Sequence, residues 1–167
     1  MFTYLEKEVI MKTLNILIFL IFFLPWQISA QATIIEKDGM YYNEKSEPFT
    51  GVHFEHFKDG SVKMEVNITD GVLDGITKVY HLEGTVHEQR SYKNGKMHGT
   101  WITWNKEGSR ISEANYLEGK KEGKWLIWSE DGTLLYDMTY KNGSRTGKWR
   151  MYDQAGNLLQ EKNHNGK

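Results

Sequence analysis

The chain has 167 residues, 21 of them basic and 22 acidic, with no cysteine. A single domain is the most that such a length builds once any leader is set aside, and a balanced charge disfavours nucleic-acid or anionic-membrane binding through a basic surface. The missing cysteines exclude disulfides, thiol chemistry, zinc–thiolate sites and lipid attachment through an N-terminal Cys.

In chain order, Met11-Lys12-Thr13 precedes an apolar run from Leu14 to Trp26, followed by Gln27-Ile28-Ser29-Ala30-Gln31. A basic start, a short apolar core and a small residue before a polar stretch describe a secretory signal peptide over 1–30, cleaved before Gln31. The run is short for a membrane span, and an uncleaved anchor is the alternative. Glu6 and Glu8 stand ahead of the basic start, which places the expected translation start at Met11. The chain is therefore expected to be exported, to a periplasm or to the medium.

Residues 31–50 read as an N-terminal cap hairpin. Thr33–Glu36 and Met40–Asn43 are its strands and Lys37-Asp38-Gly39 its turn, followed by a polar loop to Thr50. From 51 to 167 the sequence repeats every 24 residues, in four full copies and one partial copy. Glycines recur at 51, 75, 99, 123 and 147; at 60, 84, 108, 132 and 156; and at 71, 95, 119 and 143. A fixed period of this kind marks a repeat architecture.

Each copy holds two strand-like runs, such as Thr100–Trp104 and Arg110–Tyr116, joined by Asn105-Lys106-Glu107-Gly108 as a tight hairpin loop. Asn94-Gly95 and Asn142-Gly143 mark turns between copies. Recurrent glycine and the lack of a 3.6 period exclude helices. The fold class predicted is all-β: an elongated antiparallel sheet of stacked β-hairpins, open or curled. Val62, Met64, Val66 and Ile68 alternate with polar residues, as do Leu134, Tyr136, Met138 and Tyr140, so one face is buried and one is wet.

The aromatics of the first strand lie three apart: Trp101 and Trp104, Trp125 and Trp128, Trp149 and Tyr152. Three is odd, so the two members point to opposite faces of an unbulged strand. An even hairpin loop sets Trp104 opposite Ser109 and Trp101 opposite Ser112. Trp101, Trp125 and Trp149 then share the core face with Tyr92, Tyr116 and Tyr140. Tyr80, Trp104, Trp128 and Tyr152 are left on the other face as the candidate partner-binding ladder. A bulge would reverse the assignment.

Tyr-x-Asn-Gly-x-x-x-Gly-x-Trp, at Tyr92–Trp101 and Tyr140–Trp149, resembles the MORN repeat in its bacterial variant form, over roughly residues 40–167. Chains of this make-up are often labelled YwqK-like antitoxins. The resemblance implies an elongated sheet of β-hairpins used in contacts with proteins or membranes, and no common catalytic site. The leader sits poorly with a cytoplasmic toxin–antitoxin role.

Chemistry is otherwise sparse. His53 and His56 are three apart on one strand, and His81, His87 and His98 are scattered, so no metal site is expected. Ser109, Ser129 and Ser144 have no His or Asp at a repeated offset. Lys120-Lys121-Glu122-Gly123-Lys124 reads as a solvated basic turn, and Asn67-Ile68-Thr69 fits a glycosylation acceptor inside a strand. Glu65, Glu113, Asp137 and Glu161 share one repeat offset on the wet face; an enzyme would need two of them to converge. The reading favoured is a non-enzymatic, exported binding or scaffold protein. It needs no cofactor, and its partner is another protein or else a glycan or envelope surface, with toxin neutralisation as a special case.

Overall fold

The computed structural model describes residues 33–164, so the expected leader over 1–30 lies outside the described residues. The strands are β1 (Ile35–Lys37), β2 (Met40–Tyr42), β3 (Gly51–His56), β4 (Val62–Thr69), β5 (Val72–Leu73), β6 (Gly75–Tyr80) and β7 (Val86–Lys93). They continue with β8 (Lys96–Met97), β9 (Gly99–Trp104), β10 (Arg110–Leu117), β11 (Lys120–Trp128), β12 (Leu134–Lys141), β13 (Ser144–Tyr152) and β14 (Leu158–His164). β1 and β2 pair as a separate hairpin, and the other twelve form one antiparallel sheet in which neighbours in sequence are neighbours in space. Among the described residues there is no helix.

Two kinds of turn alternate along this sheet, and each explains one glycine series. Within a repeat, β9 and β10 are joined by a loop in which the Asn105 N–H donates to Ser109 O at 2.9 Å and the Gly108 N–H to Asn105 O at 3.1 Å. Gly108 closes it with φ of 82°, a left-handed conformation that a side chain would penalise. Between repeats, Asn94-Gly95 takes φ of 49° and 75°, and Glu118-Gly119 takes 49° and 80°. Two successive positive φ values make a type I′ turn, whose twist matches that of the flanking strands.

These type I′ turns stack in a column of their own. The Gly95 N–H donates to Leu73 O, Gly119 to Met97 O and Gly143 to Lys121 O, at 2.8, 2.8 and 2.9 Å. Each turn is thereby tied to the repeat before it. The third glycine series makes the bend between turn and main sheet. From Ala114↔Trp125 to Tyr116↔Lys121, β10 advances by two residues and β11 by four. Gly123 sits in that gap with φ of 68°.

The hairpin register differs from the even-loop expectation. Trp104 pairs with Arg110, not Ser109, and Trp101 pairs with Ala114, not Ser112. The span between Trp104 and Arg110 is odd, and Ile111 is then left as a bulge between Arg110 and Ser112. The same slip occurs at Lys63, His87, Leu135 and Leu159. An odd span and a one-residue bulge cancel, so the sharing of a face by Trp101 and Tyr116 survives. What changes is the start of each second strand: Val62 pairs with His56 and Leu134 with Trp128, out of line with Met64 and Tyr136.

The core is a run of rings on that shared face. Centroids lie 5.4 Å apart for Tyr92 and Trp101, 4.9 Å for Trp101 and Tyr116, 5.2 Å for Tyr116 and Trp125, 5.2 Å for Trp125 and Tyr140, and 5.0 Å for Tyr140 and Trp149. Each indole N–H also donates to a carbonyl ten residues back: Trp101 to Ser91 O, Trp125 to Asn115 O and Trp149 to Thr139 O, at 3.0, 3.0 and 2.9 Å. These carbonyls lie at the bend; the Ser91 carbonyl accepts the His98 N–H as well as the indole, so the indole there uses a second lone pair. Among the described residues, the buried apolar side chains are Val66 and Ile68 at the N-terminal end, 1% and 2% exposed. Elsewhere the rings are half-buried, as expected where one layer covers only one side of each.

Candidate binding faces

Tyr80, Trp104, Trp128 and Tyr152 occupy one place in the repeat, the last residue of the first strand, opposite Val86, Arg110, Leu134 and Leu158. Strand alternation sets them on the face opposite the ring run. All four are half-buried. Among the described residues, they form no close ring pair with one another. The Tyr80 hydroxyl donates to Glu65 Oε2 at 3.1 Å. Burial, then that hydrogen bond and the charge of Glu65, raise its pKa above the ordinary phenol value. The Arg110 guanidinium lies 5.9 Å from the Trp128 ring centroid, and the Trp104 carbonyl is 3.2 Å from His87 Nδ1.

The same face carries the acids that share one repeat offset, and each has a basic partner. Glu65 meets Lys78 at 3.7 Å and Glu113 meets Arg110 at 2.5 Å. Asp137 takes Lys124 at 2.5 Å and Arg150 at 3.4 Å, while Glu161 takes Lys148 at 2.8 Å and Arg150 at 2.9 Å. Hydrogen bonds from Lys148 and Arg150 hold the Glu161 carboxyl below its usual range. These carboxylates stand on separate strands one or two repeats apart; Asp137 and Glu161 meet through the guanidinium of Arg150, and each acid is neutralised by a cation rather than paired directly with another acid.

Two of the histidines expected to be scattered meet, and the others stand apart from them. His81 and His87 have ring centroids 4.5 Å apart, His53 lies 6.4 Å from Tyr41, and His98 Nδ1 is 3.4 Å from Glu118. Among the described residues, no three metal-ligating side chains cluster. Asn67 is engaged in the fold, its amide donating to Ile76 O at 2.6 Å.

One expectation needs correction. Lys121 is not part of a solvated turn: it is half-buried in β11, with its ammonium 4.1 Å from the Trp125 ring centroid and 5.0 Å from that of Tyr140. Arg145 covers Trp149 at 4.6 Å in the same way, and Arg90 lies 5.6 Å from the Trp101 centroid. Cations over ring faces add to the run. The signal was present in the sequence, since Lys121 and Arg145 each stand four residues before a tryptophan.

The geometry thus reduces to a unit made of a stacked type I′ turn, a glycine bend, a Trp-bearing strand, a bulged hairpin and a Tyr-bearing strand. The profile of the MORN repeat variant family matches the chain at residues 73–94, 121–142 and 145–165, each of which spans a bend glycine and a bulged hairpin, with Thr77 in place of the Trp in the first and His164 in place of the Tyr in the last. These three segments are MORN repeats of the variant form. No curated protein gives a significant match to it. The MORN repeat fold is not that of a known enzyme family and is common in repeat proteins that bind proteins or membranes.

Proposed function

We propose that this MORN-repeat chain is an exported, non-enzymatic module that holds another protein against a face of its sheet. The observation that carries the reading is the row Tyr80, Trp104, Trp128 and Tyr152. Four aromatic side chains stand at one offset on four successive hairpins, on the face opposite the ring run that holds the fold together. Equivalent residues two strands apart are about 10 Å from each other, so the row extends over about 30 Å. Tyr and Trp with part of their surface accessible are the side chains that dominate protein-binding hot spots. The paired carboxylates beside them give the row a polar border, as a docking surface requires.

The test is the double variant Trp104→Ser, Trp128→Ser. It is expected to keep the thermal midpoint within about 4 °C, the shift that ~1 kcal/mol produces in a domain of this size, and to lose the partner recovered by the parent protein from its native source. Unfolding of the double variant would show instead that the row belongs to the core.

Export rests on Met11-Lys12, the Leu14–Trp26 run and Ala30. Intact mass of protein recovered from periplasm or medium is expected to correspond to a chain starting at Gln31. A mass that retains Leu14–Trp26 refutes cleavage and turns the segment into an anchor.

A further inference from the structure

On the ring face, the last described unit differs from an earlier one at the positions that decide charge. Arg90 and Lys162 occupy the same place in the repeat. In the earlier unit, Arg90 Nη2 meets Glu88 Oε2 at 2.6 Å. The residue two positions before Lys162 is Gln160, and among the described residues Lys162 forms no ion pair. Neither does Arg145, which lies exposed over Trp149. His164 takes the place held by Tyr92, Tyr116 and Tyr140, with its ring 5.0 Å from Trp149.

A groove of about 320 Å³ opens at this point, floored by Tyr136, Met138, Trp149 and Met151, and among the described residues no carboxylate lines it. Tyr136 is 38% exposed there. Arg150 also borders the groove, but Asp137 and Glu161 already neutralise it. The His164 imidazole is held below the ordinary histidine range, first by loss of solvent and then by the charges of Lys162 and Arg145. Among the described residues, both charges that act on it are cations, in keeping with the absence of a carboxylate from the lining.

We propose that this groove binds an acidic peptide segment, taking a large apolar side chain onto the Met138–Trp149–Met151 floor and a neighbouring carboxylate between Arg145 and Lys162. The volume suits one such side chain and its flanking backbone. A nucleic acid is the poorer fit, because its affinity rests on many phosphate contacts and, among the described residues, two free cations are present here. A membrane surface is poorer still, since each basic residue contributes only about 1 kcal/mol toward an anionic leaflet. The site lies on the face opposite Trp104 and Trp128, so it and the aromatic row can fail separately.

The experiment titrates the isotope-labelled protein with the blocked pentapeptide Ac-EFDLE-amide and with its neutral counterpart Ac-QFNLQ-amide. The acidic peptide is expected to shift the Trp149 indole N–H resonance and the Met138 and Met151 methyls, and to bind about tenfold more tightly than the neutral one. Arg145→Gln combined with Lys162→Gln is expected to remove that preference and its salt dependence, with the thermal midpoint lowered by no more than about 4 °C, because both side chains are exposed and only the contact of Arg145 with the Trp149 ring is lost. The Trp104→Ser, Trp128→Ser protein is expected to bind the acidic peptide as the parent does. Equal affinity for the two peptides, shifts centred on Trp104 and Trp128, or no binding of either peptide would each overturn the proposal.

Discussion

Replacing Tyr116 with alanine is expected to lower the unfolding free energy by about 2–3 kcal/mol, while Tyr136→Ala lowers it by less than about 1 kcal/mol. Both side chains are tyrosines on the ring face of adjacent hairpins. Tyr116 lies between two tryptophans, with centroids 4.9 Å from Trp101 and 5.2 Å from Trp125. Its phenol is pushed above its ordinary pKa chiefly by burial. Removing it deletes two ring pairs and exposes the indole edges on either side, both of which donate into the backbone of the preceding strand. The figure falls below the 3–5 kcal/mol typical of a fully enclosed aromatic because Tyr116 is only half-buried. Tyr136 is 38% exposed and borders the groove rather than the ring run. Urea midpoints at a common m value read the contrast directly. Equal losses at the two positions, or an unchanged midpoint for Tyr116→Ala, would mean that the ring run does not hold the sheet together.

Gly99→Val is expected to cost about 2–3 kcal/mol, and Gly132→Ala about 1 kcal/mol. Both glycines have positive φ, 82° and 86°, so each substitution meets the left-handed penalty. They differ in what surrounds them. A Cβ on Gly99 would lie 3.2 Å from Ser91 Oγ and 3.5 Å from Ser91 Cβ, whereas one on Gly132 would have nothing within 4 Å. Valine adds a branch in a conformation that β-branched residues avoid. Ser91 cannot withdraw freely, because its carbonyl accepts both the Trp101 indole and the His98 N–H. Comparable losses for the two variants would show that backbone strain alone accounts for both. A Gly99→Val midpoint equal to the parent's would show that the bend tolerates an ordinary residue.

Much of this architecture can be read in the residues, since a glycine every 24 positions leaves few other folds open. The assignment of Trp101 and Tyr116 to one face was also legible, though the loop span behind it was not. Ile111 is the extra residue in its hairpin, and its equivalents are Lys63, His87, Leu135 and Leu159. A bulge that accepts Lys, His, Ile or Leu leaves no compositional trace, because what defines it is the register of its neighbours. The column of type I′ turns was hidden for a related reason. Asn94-Gly95 announces a turn, but the bond from the Gly95 N–H to Leu73 O joins residues almost one period apart. Lys121 was misread because a basic cluster beside Gly123 looks the same in sequence whether its ammonium groups face water or a ring. The groove at Trp149 depends on Gln160 where an earlier copy has Glu88, a difference that matters only once Lys162 is known to lie beside it.

The bond from each type I′ turn to the turn before it has a consequence for how the chain comes apart. Among the described residues, every repeat is fastened to its immediate neighbours, through the strand ladder, the ring run and this column, so the sheet behaves as a one-dimensional lattice with nearest-neighbour coupling. Opening an inner repeat breaks two interfaces, whereas opening a terminal one breaks a single interface. Local unfolding therefore begins at an end and travels inward, like a zip, and amide protection is graded by distance from that end. Two identical tyrosines in different repeats then protect the chain to different degrees, because what each stabilises depends on its place in the row.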